Sequence, residues 1–271
     1  MTSFLDLLGT KEALSNMTEE QLREQIRLLD DLKTRLHDPA WEDQWQRMLT
    51  FSDSIALAVP FKTDDPELEL GNTVSSIGYY QFDLACTGRF LRGGIAIGNA
   101  YADYANITGP ALVTAAKLEA ETAVVPRVVL DDSALLVVLH QAAAGYGEGL
   151  SRSPFNTTLM IDSDNRAFVN YLHVALEVEE NEVEEAEVLL ERHRDAVIDA
   201  LTKHPETSRV REKYVWLAHY HNAFCKLYRM DESLQIVDPL NALELLYHRP
   251  FRLLIDPSWG QDSNKSKKPK E

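Results

Sequence analysis

The chain has 271 residues, 45% hydrophobic and 26% charged, so it can bury the core of one large domain or of a domain with an appendage. Its formal net charge of -16 argues against non-specific binding to nucleic acid or to an anionic membrane. Two widely separated cysteines, Cys86 and Cys225, indicate neither a zinc site nor a disulfide framework. With no membrane-spanning apolar run and no basic flank of a signal peptide, the sequence predicts a soluble protein in the reducing cytoplasm.

Two apolar strands near the N-terminus each carry an aspartate. Residues 4–8 predict a buried strand that contains Asp6, and residues 47–51 and 55–59 predict a hairpin with Asp53 at its tip. An unpaired buried carboxylate is very costly, so two aspartates on different strands suggest a divalent-cation clamp. Either aspartate alone could instead be an ordinary turn or cap residue, since Asp is common in turns.

Helical patterns surround this hairpin. Thr18 and Gln21 have the spacing of a capping box, and apolar residues then recur at helical spacing from Leu22 to Leu36. A second helix is predicted over residues 67–89. Residues 91–98 predict a strand whose Gly93-Gly94 pair leaves room for a ligand or a second chain to approach the backbone.

The later elements continue an alternating α/β order. Gly109-Pro110 predicts a helix start, and the predicted segments are a short strand at 106–108, a helix to about 122, a strand at 126–130, a helix capped by Ser133, a strand at 167–174, and helices at 177–201 and 210–228. The glutamate-rich start of the 177–201 helix is typical of a solvated face. Residues 261–271 are polar and charged, which is typical of disorder.

Five of these segments resemble the class III nucleotidyl cyclase catalytic domain in order and spacing. The chain is most similar to the bacterial pyrimidine cyclases of Pycsar antiphage defence, through the Leu-Gly after Asp6, the Ser-Asp-Ser turn, the Gly-Pro-Ala-Leu helix start and the Tyr-Val-Trp-Leu-Ala-His-Tyr-His-Asn run at 214–222. The five segments are residues 4–9, 51–55, 92–98, 109–119 and 126–130.

The resemblance implies an α/β (α+β) fold with a ferredoxin-like βαββαβ palm core and added C-terminal helices. On this basis the expected division is a catalytic core at 1–176, a helical extension packed on it at 177–256, and a disordered tail at 257–271.

The resemblance also implies a chemistry. Asp6, Asp53 and the backbone carbonyl of Leu7 are the expected ligands of two Mn²⁺ or Mg²⁺ ions per site. The ribose 3′-hydroxyl would attack the α-phosphorus of the triphosphate and expel pyrophosphate.

Two positions depart from the family pattern. Where typical members carry a ribose-orienting asparagine and a phosphate-stabilising arginine, this chain has Val113 and Lys117. Lysine supplies the positive charge without the bidentate fork of arginine, and Lys117 could also be a plain surface residue. Thr114 or Asn99 are the candidates to replace the missing amide.

Base recognition also differs from that of purine cyclases. The purine-reading lysine of those enzymes is replaced by Leu49. Arg47 lies two residues before Leu49, so its side chain points to the same face of the strand and could reach a pyrimidine carbonyl. It could equally be an exposed strand-edge residue. Asn106, at the other base-reading position, offers both a donor and an acceptor. The expected substrate is UTP, narrowly ahead of CTP.

Class III active sites lie between two chains, so the resemblance implies a head-to-tail homodimer. One subunit would supply Asp6 and Asp53, and the other would supply Lys117 and Asn106. The cyclic nucleotide would then be a second messenger for a separate effector protein. Two other functions stay open: a non-catalytic cyclase homologue that binds nucleotide or dimerises, and a purine cyclase with some substitute for the lysine.

Overall fold

The computed structural model describes residues 1–9, 18–23, 26–27, 30, 46–61, 66–146, 152–177, 183–246 and 250–254. Its strands are β1 (Thr2–Leu7), β2 (Arg47–Phe51), β3 (Ser54–Ala58), β4 (Leu91–Ala96), β5 (Tyr101–Ala102), β6 (Ile107–Thr108), β7 (Val128–Leu130), β8 (Leu159–Ile161), β9 (Ala167–Val169) and β10 (Arg252–Leu253). Its labelled helices are α1 (Pro66–Cys86), α2 (Pro110–Lys117), α3 (Asp132–Tyr146), α4 (Phe155–Thr158), α5 (Val174–Glu177), α6 (Val183–Lys203), α7 (Arg211–Leu227) and α8 (Ala242–Leu246).

One large mixed sheet organises the molecule. Its strand order is β10-β8-β9-β7-β4-β1-β3-β2, and β5 and β6 form a separate pair. Only the β4–β7 neighbours of the large sheet are parallel, among the strands that the structure describes. The expected mixed α/β (α+β) class is therefore confirmed. Within the described segments, no helix is both long and apolar enough to cross a lipid bilayer.

The N-terminal predictions are confirmed where the structure describes them. The Thr18 amide donates to Gln21 Oε1 at 2.9 Å and the Gln21 amide donates to Thr18 Oγ1 at 3.3 Å, which is the reciprocal pattern of a capping box. Most of the helix predicted up to Leu36 lies outside the described residues, as does the tail from 257 onward. The hairpin forms as predicted, with Ser52 at φ 58° in its turn and Asp53 beside it.

Two later predictions were wrong in detail. The strand predicted at 167–174 ends at Val169, because the Asn170 side chain donates to the Thr157 carbonyl at 2.7 Å and accepts from the buried Tyr220 hydroxyl at 2.7 Å. A 3₁₀ turn and α5 follow this bend. The predicted cap of α3 is not Ser133, since the Asp131 carboxylate accepts the Ala134 amide at 2.7 Å.

The glycine pair in β4 does permit a close approach, but the approaching backbone belongs to the same chain. A Cβ on Gly94 would lie 2.5 Å from the Ala115 carbonyl oxygen of α2. One on Gly93 would lie 2.5 Å from the Phe4 carbonyl oxygen of β1. The glycines therefore let α2 lie directly on the sheet at the point where β1 and β4 pair.

Hydrophobic residues pack on both faces of the sheet. On one face, Leu5 of β1 belongs to a large buried cluster that also contains Leu190 of α6 and Trp216 of α7. On the other face, β2 and β3 pack with Ile107 and with Leu112 of α2 in a smaller cluster. The helices beyond residue 177 thus share the main hydrophobic core with β1, which places α7 beside the end of that strand.

Candidate active site

The two predicted metal-binding aspartates line one cavity of about 550 Å³, together with Leu7. The pairing of β1 with β3 sets Asp6 opposite Ser54, one residue after Asp53. The Leu7 amide donates to the Asp53 carbonyl at 3.2 Å, so the hairpin turn is held against the end of β1. The structure therefore brings together the residues from different strands that were predicted to act together.

Asp6 is already engaged by two neighbours. The Ser54 hydroxyl donates to Asp6 Oδ1 at 3.0 Å. Arg92, its register partner on β4, donates to Asp6 Oδ2 from Nε at 3.2 Å and from Nη2 at 3.0 Å. Arg92 also forms a salt bridge with the buried Glu119 carboxylate. A carboxylate–guanidinium–carboxylate chain thus forms one wall of the cavity.

Glu119 reaches this position through an irregular helix end. The residues after α2, Leu118–Thr122, wind as a π-helix, and Glu119 is buried within that turn. Single π-helical turns inside α-helices occur frequently at functional sites. Sequence periodicity could not have identified Glu119, because a regular 3.6-residue repeat gives no signal for a change of helical pitch.

Another part of the cavity lining comes from the C-terminal third of the chain. His204, Val210, Lys213 and Tyr214 all line it. The His204 ring stacks on Tyr214 with centroids 5.1 Å apart and planes at 16°. Burial, and then the positive charge of Arg92, lower the pKa of the Lys213 ammonium, and the charges of Asp6 and Glu119 oppose this. These C-terminal residues were not predicted.

The residues predicted to contact the ribose and to stabilise the transition state lie outside the lining of this cavity. Val113, Thr114 and Lys117 are on the exposed side of α2 and do not line the cavity. Lys117 Nζ lies 3.8 Å from the Glu121 carboxylate, and the Thr114 hydroxyl donates to the Pro110 carbonyl at 3.1 Å. A single chain therefore does not bring Lys117 to the two aspartates.

The residues predicted to read the base cluster near a third location. The Arg47 guanidinium lies 4.4 Å from the centroid of the Tyr104 ring. In the same loop, Asn106 Nδ2 donates to Asp103 Oδ1 at 3.2 Å. Leu49 packs into the smaller cluster with Ile107. Arg47 and Asn106 thus lie at one exposed loop, and neither lines the aspartate cavity.

The donor set around Asp6 and Asp53 fits a hard divalent cation. Carboxylate and carbonyl oxygens are the ligands that suit Mg²⁺ and Mn²⁺. Each carboxylate oxygen can accept about two hydrogen bonds or ligand bonds, so Asp6 retains capacity beside Ser54 and Arg92. No group of three or more His, Cys, Asp or Glu side chains suited to a metal occurs in the described part of the chain. The predicted site instead consists of two carboxylates and the Leu7 carbonyl.

No family model matches the chain, and no curated protein matches it significantly.

Proposed function

We propose that the chain is a class III type pyrimidine nucleotidyl cyclase that converts UTP, or CTP, to a 3′,5′-cyclic nucleotide and pyrophosphate. The observation that carries this proposal is that Asp6 and Leu7 of β1 line one cavity together with Asp53 of the β2–β3 turn. The sheet order β4-β1-β3-β2, with every neighbour antiparallel, is also that of a βαββαβ ferredoxin-like core. This order supports the palm architecture expected for such an enzyme.

The proposed reaction forms one bond to phosphorus and breaks another. The ribose 3′-oxygen gives its proton to water and bonds to the α-phosphorus, while the bond from that phosphorus to the pyrophosphate oxygen breaks and pyrophosphate leaves. Asp6, Asp53 and the Leu7 carbonyl would hold the cations. When bound, Mg²⁺ or Mn²⁺ lowers the pKa of the attacking hydroxyl and neutralises charge on the phosphates.

A second copy of the chain would complete the site. Lys117 and Asn106 are exposed and do not line the cavity of their own chain, as expected if they serve the aspartates of a partner. The surface beside them is apolar: Val113 is 68% exposed, Tyr101 60% and Tyr104 83%. Exposed apolar patches of this kind mark interaction surfaces. A head-to-tail homodimer would cover it and bring Lys117 to the phosphate.

We assign recognition of the pyrimidine base to Asn106, in the loop between β5 and β6, and to Arg47, at the start of β2. The Arg47 guanidinium offers donors to a base carbonyl, and the Asn106 amide offers a donor and an acceptor. Uracil presents two carbonyls, which accept from the Arg47 and Asn106 donors, and one N–H, which can donate to the Asn106 carbonyl. This match favours UTP over CTP. The product would act as a second messenger in antiphage defence, recognised by a separate effector.

A non-catalytic nucleotide-binding or dimerisation module is the second candidate. Two observations favour it: Arg92 already pairs with Asp6, and Lys117 pairs loosely with Glu121. Neither arrangement prevents catalysis, because the Arg92 guanidinium and the Lys117 ammonium could each release its carboxylate partner and bind phosphate instead. Product analysis separates the two functions.

The test is incubation of the purified protein with Mn²⁺ and ATP, GTP, CTP or UTP separately, with products resolved by chromatography and mass spectrometry. We expect cyclic UMP and pyrophosphate from UTP. The Asp53→Asn variant should lose product by roughly 10³-fold, because a lost metal ligand removes several kcal/mol of transition-state stabilisation. Asp199→Asn, an exposed carboxylate on α6, is the matched control and should keep full activity. Four unreacted nucleotides would favour the non-catalytic module.

A further inference from the structure

A lysine from the C-terminal helices shares a cavity with the two aspartates. Lys213 lies in the first turn of α7 and lines the same cavity as Asp6 and Asp53. It falls in the part of the chain expected to be a helical extension, outside the catalytic core at 1–176. Its presence in the cavity therefore gives the extension a role beyond packing.

Within the part of the chain that the structure describes, the Lys213 ammonium has no direct counter-ion. Arg92 is paired with Asp6 and Glu119, whereas no carboxylate among the described residues lies within salt-bridge distance of Lys213. A cation in the first turn also opposes the helix macrodipole, whose positive end favours anions. The half-buried ammonium therefore keeps hydrogen-bond donors that a bound phosphate oxygen would satisfy.

We propose that Lys213 binds the β- and γ-phosphates of the substrate and, after bond cleavage, the pyrophosphate that leaves. This inference rests on the proposed function and extends it to a residue that the resemblance does not supply. Lysine is a common phosphate ligand that acts as a point charge. The cation-binding carboxylates and Lys213 line one cavity, so a polyphosphate with its cations can contact both.

Phosphate fits this cavity better than a simple carboxylate ligand does. Asp6, Asp53 and Glu119 make the cavity rich in negative charge, which repels an anion that arrives without cations. A polyphosphate brings bound Mn²⁺ or Mg²⁺ to the carboxylates and still presents oxygens to Lys213. Arg92 lines the same cavity, and its positive charge, which is felt at Lys213, adds to the attraction for phosphate oxygens.

The test uses calorimetric titration of the full chain with inorganic tripolyphosphate in Mn²⁺, so that neither base nor ribose contributes. We expect Lys213→Ala to weaken tripolyphosphate binding by about 10- to 100-fold, the range for a charge-assisted hydrogen bond. Lys213→Arg should retain most of the affinity, because it keeps the charge. Lys203→Ala, an exposed lysine at the end of α6, is the control and should bind as the unmodified chain does.

Equal tripolyphosphate affinity in the Lys213→Ala variant and the unmodified chain would overturn the inference, as would the absence of tripolyphosphate binding to the unmodified chain. Thermal unfolding of the Lys213→Ala variant should match that of the unmodified chain, which excludes misfolding as the cause of weaker binding. If UTP is cyclised with an unchanged KM in the variant, the inference fails and the proposed function stands. If tripolyphosphate binding depends on Lys213 but no nucleotide reacts, the inference stands and the proposed function fails.

Discussion

Replacing Arg127 by methionine is expected to lower the free energy of unfolding by about 3–5 kcal/mol, because it leaves a buried carboxylate without its arginine. Arg127 Nη1 lies 2.6 Å from the Asp162 carboxylate, and their side chains are 4% and 0% exposed. Asp164 also pairs with Arg127, and the Trp216 indole donates to Asp162 at 2.8 Å. This cluster ties β7 and the turn after β8 to α7, the helix that carries Lys213.

The matched control is Arg166→Met. The Arg166–Asp132 pair lies at 2.8 Å, but its side chains are 39% and 85% exposed. Exposed pairs of this kind contribute roughly 0–1 kcal/mol, so this variant should unfold almost as the unmodified chain does. Urea denaturation followed by circular dichroism measures both. Equal losses of unfolding free energy in the two variants would contradict the assignment of Arg127 and Asp162 as a buried structural ion pair.

Mixing two inactive variants is expected to restore cyclase activity. Asp53→Asn and Lys117→Ala should each form little product alone, since each damages both sites of a homodimer. After mixing and subunit exchange, half of the dimers would be mixed, and each of these would carry one intact site. Activity should then recover to about a quarter of that of the unmodified enzyme, as the two-fold symmetry of a head-to-tail dimer requires.

The control mixture combines Asp6→Asn with Asp53→Asn. Both residues come from the same subunit of a site, so every site in the mixed dimers stays damaged and no recovery is expected. The shared site would be ruled out if subunit exchange is measured and the mixture of Asp53→Asn and Lys117→Ala is still no more active than the separate variants.

Local patterns in the sequence predicted much of the N-terminal half. Alternating apolar residues and the turn at Ser52 and Asp53 specify the hairpin, because side-chain alternation and turn preferences are short-range effects. The capping box at Thr18 is equally local. The approach of Asp6 to Asp53 was predictable only as a hypothesis, since it depends on how β1 pairs with β3.

The remaining features depend on contacts that a sequence does not display. The pairing of Arg92 with Asp6 follows from the β1–β4 register, and the burial of Glu119 follows from a π-helical turn. Lys213 reaches the cavity because α6 and α7 share the main core with β1. The strand predicted to reach residue 174 stops at Val169 because of tertiary hydrogen bonds from Asn170.

The most direct test of the account is whether Asp6 and Asp53 form one divalent-cation site. Electron paramagnetic resonance can count free Mn²⁺ in the presence of 3′-deoxy-UTP, a nucleotide that lacks the attacking hydroxyl and cannot be cyclised. We expect the unmodified chain to bind Mn²⁺, and both Asp6→Asn and Asp53→Asn to weaken that binding by at least about 10-fold, while Asp199→Asn does not. Mn²⁺ binding that is unchanged in both site variants would contradict the account.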